Sequence, residues 1–202
     1  MYKRQILLRN EGGIVTINRG QLVSGALQLD ASGTYDPSGS TNNLRVMLAT
    51  EEGNPVPLSF GQLGARSFLE VSSLDATLSG ALESAALTVE AAARTAGYED
   101  YLARDVTLRA TSPGFNLNAI SGPFQLALDA ASASAPEGIA ANVLTGPIAL
   151  AVEGQLTEGE IVIDSNSLTT GAASAAVTGR AARDFSTFDF ACLLYTSPSP
   201  RD

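Results

Sequence analysis

Residues 122–130 read Gly122-Pro123-Phe124-Gln125-Leu126-Ala127-Leu128-Asp129-Ala130. Phe124, Leu126, Leu128 and Ala130 take every second position, and Gln125 and Asp129 fall between them. Successive side chains of a strand point to opposite faces, so this spacing puts an apolar row on one face and polar groups on the other.

The alternation recurs on both sides of this stretch. Val23, Leu27, Leu29, Ala31, Gly33 and Tyr35 share one parity, and Ser24, Gln28, Asp30, Ser32 and Thr34 share the other. Leu74, Ala76, Leu78 and Gly80 alternate with Asp75, Thr77 and Ser79, and Val106, Leu108 and Ala110 with Asp105, Thr107, Arg109 and Thr111. Further on, Ile148, Leu150, Val152, Gly154 and Leu156 face away from Glu153 and Gln155. One dry and one wet face is the usual state of an antiparallel sheet. Turn-forming clusters at 10–13, 36–40, 52–55, 112–114 and 157–160 separate the runs. The expected fold is an all-β antiparallel meander with little helix. A looser repeat joins Gly80–Val89 to Gly154–Ile163, each expected to end a strand at its Gly, turn through a Leu and start the next strand. Gly33–Pro37 is an imperfect third copy.

Two stretches carry mixed signals. Ser84–Ala96 is rich in Ala, and Leu74, Leu78, Leu82, Ala86, Val89 and Ala93 also fit a helical stripe. Gly80 and the β-branched Thr88 and Val89 favour strand. Ser132–Ala141 reads as a loop or one or two helical turns.

The two ends read differently from the rest. Tyr2-Lys3-Arg4-Gln5 can be encoded by a segment whose reverse complement, shifted by one base, encodes Cys192-Leu193-Leu194-Tyr195. That segment resembles a transposon-end adapter of sequencing libraries. Residues 1–5 and 192–202 are therefore read as adapter-derived, and 6–191 as a fragment of a repetitive β-sheet region. Setting aside Lys3, Arg4, Arg201 and Asp202 leaves nine arginines against twenty acidic residues, a net charge of −11, with no Lys, His, Cys or Trp.

That composition narrows the chemistry. An acidic chain without basic clusters is poorly suited to a phosphate backbone, so no nucleic acid is expected as partner. Without His, Cys or Lys, the commonest bases, thiol nucleophiles and Schiff-base amines are missing, as are the usual transition-metal ligands. Glu51-Glu52, Glu99-Asp100 and the pair Glu158 and Glu160 sit in expected turns, where solvated carboxylates are ordinary. Tyr98 and Tyr101 read as an edge cover beside one of these pairs. No catalytic or metal-binding residue is assigned, no cofactor is expected, and the chain is not read as an enzyme. No apolar run approaches the roughly 20 residues of a membrane span.

The stretches "GALESAALTVEA", "GQLTEGEIVI" and "LTTGAASAAVTGRAARDFS" (from Gly80, Gly154 and Leu168) resemble the repeat-bearing region of the AsmA-like / TamB family of envelope proteins. The resemblance implies a long antiparallel sheet curled into a trough, part of an inner-membrane-anchored protein crossing the periplasm of a Gram-negative bacterium. It also implies phospholipid acyl chains as cargo, a link to outer-membrane assembly, and membrane contact through parts of the parent outside this fragment. On that reading Leu27, Leu29, Leu74, Leu78, Val106, Leu108, Leu126, Leu128, Leu150 and Val152 line the trough. The rival reading of the same alternation is a β-sandwich module of an exported adhesin, with these residues as dry core. An even β-helix is disfavoured by irregular turn spacing, and an outer-membrane barrel by the lack of aromatic girdles.

Overall fold

The computed structural model describes residues 3–38, 41–50, 56–58, 67–144, 146–184 and 186–196. Among them lie thirteen strands and one helical turn. The strands are β1 (Lys3–Glu11), β2 (Ile14–Ser24), β3 (Leu27–Tyr35), β4 (Asn42–Thr50), β5 (Val56–Leu58), β6 (Ser67–Gly80) and β7 (Ala85–Tyr98). After these come β8 (Tyr101–Phe115), β9 (Gly122–Ser134), α1 (Ile139–Val143), β10 (Gly146–Leu156), β11 (Glu160–Thr169), β12 (Ala173–Ala182) and β13 (Phe188–Thr196).

All belong to one antiparallel sheet in sequence order, with β5 beside β6 just beyond the end of β4. The first and last strands of the path do not pair, so the sheet is an open meander curled into a trough, not a closed barrel. The Ala-rich stretch is strand from Ala85 onward, whereas of 132–141 the first three residues still belong to β9 and a helical turn begins only at Ile139.

Short turns hold the register. Gly12 and Gly13, at φ +62° and +90°, close the two-residue link between Glu11 and Ile14, a backbone shape that matches strand twist. Glu99-Asp100 does the same between Tyr98 and Tyr101, so the two tyrosines flank a hairpin tip inside the sheet, not an outer edge. In the β3–β4 turn Asn42 Oδ1 accepts from the Asp36 N–H at 2.8 Å, while Asn42 Nδ2 donates to the Gly80 carbonyl at 3.1 Å.

Three sequence expectations change. Ser112-Pro113-Gly114 is not a turn: β8 runs through it to Phe115, and the chain reverses at 116–121. Proline lacks a ladder donor, and here it lies where the β7–β8 register slips between Ala85 and Leu87, one of the few strand positions that tolerate it. Gly154 does not end its strand, because β10 continues to Leu156. Val23 faces away from Leu27 and Leu29: the Gly25-Ala26 hairpin sets Val23 against Gln28 and brings Leu22 to Leu29. The expected turn at 52–55 and the Glu51-Glu52 pair lie outside the described residues.

The ends also take part in the ladder. Lys3–Gln5 pair with Val23–Gln21, and Cys192–Thr196 with Val177–Ala173. An open edge offers unpaired donors and acceptors to any extended segment that reaches it. The side chains of Leu193, Leu194 and Tyr195 stay exposed.

Bulges bend the sheet. Arg94, Asp105 and Ala131 fall outside the paired register, and Asp105 sits at φ +50°. Below this line the side-chain parity switches, so Leu69, Ala96 and Ala103 join the face of Ala93, Val106 and Ala130, the most buried apolar cluster. Extra residues of this kind increase local twist and curvature.

Candidate functional site

The antiparallel register assembles the site. Leu22, Leu29, Leu48, Leu74, Ala91, Leu108, Leu128, Leu150, Leu168 and Ala175 follow one another across ten successive strands as direct cross-strand partners. At ~4.8 Å per strand this row is more than 40 Å long. A parallel row holds Gly20, Ala31, Val46, Ala76, Val89, Ala110, Leu126 and Val152. The ten residues singled out from the sequence all stand on this face: Leu29, Leu74, Leu108, Leu128 and Leu150 in the first row, Leu126 and Val152 in the second, and Leu27, Leu78 and Val106 two or four residues along their strands from first-row members. Val106 is buried and the other nine are half-buried.

No second sheet covers the face among the described residues, and no large side chain there is fully buried. A compact chain of this mass would expose about 8,900 Å². This one exposes 13023 Å². The leucines are therefore shielded by their own neighbours and by the curl of the sheet.

The other face is wet. Asp30, Met47, Asp75, Glu90 and Arg109 form its matching row. Arg45 grips Asp75 through two hydrogen bonds, that from Nε at 2.9 Å, and the bond holds the Asp75 carboxyl below the usual carboxylate range. Arg109 lies 3.6 Å from Glu90. A hollow of about 610 Å³ lies on this charged face between Met47 and Asp129. Its Asp75, Glu90 and Arg109 are occupied with ion pairs across exposed strands, which makes it a solvated groove. The apolar side has a hollow of about 430 Å³ beside Leu69, Ala96, Tyr98, Tyr101, Leu144 and Ile148. Another of about 400 Å³ lies among Ile6, Leu8, Ile17, Leu22 and Leu29.

No family model, curated protein or solved structure matches the chain. The site is therefore defined by its own geometry.

Sequence reasoning missed Leu44, Val46 and Leu48 of β4, although "NNLRVMLAT" alternates; Met47, half-way along the outer face, blurs the contrast. It also missed Leu22 and Leu168. Each joins the row only through hairpin register, which pairs Leu22 with Leu29 and Leu168 with Leu150. Two polar interruptions of the apolar face, Ser112 and Asn166, also escaped it.

Proposed function

We propose that this chain is a segment of an AsmA-like envelope protein whose apolar trough carries phospholipid acyl chains across the periplasm between inner and outer membrane, in support of outer-membrane assembly. The observation that carries the reading is the leucine row: an apolar strip continuous over ten strands, with Asp30, Asp75, Glu90 and Arg109 on the opposite face and no layer above it among the described residues. A domain core would be closed by a second layer. A strip left open along its length suits a ligand that is itself long and apolar. Acyl chains supply that shape and gain by leaving water, at about 0.8 kcal/mol per buried methylene.

A photoreactive residue tests the reading. Placed at Leu150 it should give a phospholipid adduct, and placed at Ala151, on the wet face, it should give none. No adduct at either position, or equal adducts at both, would overturn it.

A further inference from the structure

Five polar or charged residues are buried in the described chain: Asp36, Asn42, Ser67, Ser112 and Thr170. Four are engaged within the protein. Asn42 bridges the β3–β4 turn to Gly80, and Asp36 accepts from the Ser38 N–H at 2.9 Å. Thr170 Oγ1 accepts from the Ala173 N–H at 3.0 Å, and Ser67 also has a partner. Ser112 differs. It is 5% exposed, and its buried Oγ has no hydrogen-bond partner among the described residues.

Ser112 stands on the apolar face, two residues beyond Ala110 and directly opposite Leu87. A second polar atom in the same condition, Asn166 Oδ1, lies on the same face opposite Val152. A buried polar atom without a partner costs stability, and native chains keep few of them. The neighbouring positions of both rows are filled by Ala, Val and Leu, so an apolar residue would suit either place better on stability alone. No charged side chain stands in the row of Leu44, Leu78, Leu87 and Ser112, or in that of Ala110, Leu126, Val152 and Asn166. A group meeting these positions must be polar, uncharged and attached to something apolar; an acceptor suits the Ser112 O–H as it stands, and suits Asn166 only when its amide turns the NH₂ inward.

From this we infer that Ser112 and Asn166 are hydrogen-bonding stations for the ester linkages of a glycerolipid whose acyl chains lie in the trough, an inference that rests on the lipid reading above. The Ser112 hydroxyl donates to an ester carbonyl, and the Asn166 amide reaches one with its NH₂ after rotation about its last torsion. The two stations are three strands and two residues apart, about 16 Å on a flat sheet, so one ester region meets them in succession. Ser112 Oγ lies opposite Leu87, which is only half-buried and has no second layer to hold it among the described residues. Side chains of that kind change rotamer on the picosecond to nanosecond scale, so an entering acyl chain can displace them.

The test compares dipalmitoylphosphatidylethanolamine with its dihexadecyl ether analogue, which keeps the chains and headgroup but has no ester carbonyl. The wild-type chain should bind the ester lipid roughly three- to tenfold more tightly, the range of one or two net hydrogen bonds. Ser112→Ala or Asn166→Leu should reduce that preference, while the Ser112→Ala melting temperature stays level or rises by about 2–4 °C as a buried unsatisfied group is removed. Equal binding of the two lipids by the wild type, or a preference kept in full by both variants, overturns the inference. Binding of neither lipid overturns the trough reading itself.

Discussion

At the scale of single residues, glycine stands on the apolar face where a side chain would run into the backbone of the next strand. A Cβ at Gly33 would overlap the Asn43 carbonyl, and one at Gly179 the Asp189 carbonyl, with backbones at φ +128° and +151°. At Gly154 it would meet the Val162 carbonyl, and Phe124 Cζ lies 3.0 Å from the same point. Phenylalanine covers two of these gaps: Phe124 is the cross-strand partner of Gly154, and Phe190 of Gly179. The ring lies over the bare glycine and shields its backbone from water. Gly33→Ala should therefore cost about 2–4 kcal/mol, from backbone strain together with the overlap. Gly159→Ala is the control. No atom lies within 4 Å of its Cβ position and its φ is not in the left-handed region. It should change stability by less than about 1 kcal/mol, with a gain if anything, since alanine restricts the unfolded chain. Urea midpoints of the two variants measure the contrast.

At the scale of elements, the alternating runs were legible because each strand buries one face and wets the other. The hairpin Gly12-Gly13 and the link at 157–159 could be read for a related reason: glycine or short polar residues are what such turns require. Three features were hidden. Pro113 carries a turn signal, but a register slip lets β8 absorb it. The register slips past Arg94 against β6 and past Ala131 against β10, with Asp105 unpaired between them, and the parity of "AAARTAG" and "YLARDV" switches there without a periodic mark in the sequence. The partners of each leucine depend on hairpin lengths, so Leu22 could be assigned only once Gly25-Ala26 was known to be the turn. One turn is strained. Ile120 holds φ +50° and is 53% exposed, and its carbonyl accepts from Arg183 Nη2 at 3.2 Å. A β-branched residue is a poor occupant of that conformation, whereas asparagine adopts it readily. The bond to Arg183 uses the Ile120 backbone, so Ile120→Asn keeps it. The variant should gain about 1 kcal/mol, read as a higher midpoint in thermal unfolding.

At the scale of the whole molecule, the question is whether the leucine row is a core or a lining, and a buried charge separates the two. Leu128 and Leu150 are direct partners near the middle of the row, each half-buried, with β8 and β11 outside them. In a closed core, Leu128→Arg or Leu150→Arg would leave an unpaired charge out of water. Such a change is among the few expected to cost more than about 4 kcal/mol. On an open trough the arginine stem can lie along neighbouring leucines while the guanidinium reaches solvent. Both variants should then retain the β-type circular dichroism spectrum and a cooperative melt, with a loss below about 2 kcal/mol, while the lipid adduct at a photoreactive neighbour such as Val152 falls. The adduct should fall more for Leu150→Arg, on the same strand as the probe, than for Leu29→Arg near the far end of the row. Cooperative unfolding of both central variants would mean that the face is closed in solution. Folded variants with undiminished adduct would mean that lipid passes elsewhere. Only retention of the fold together with loss of the adduct fits a lining, because only an open apolar strip can tolerate the charge and still be blocked by it.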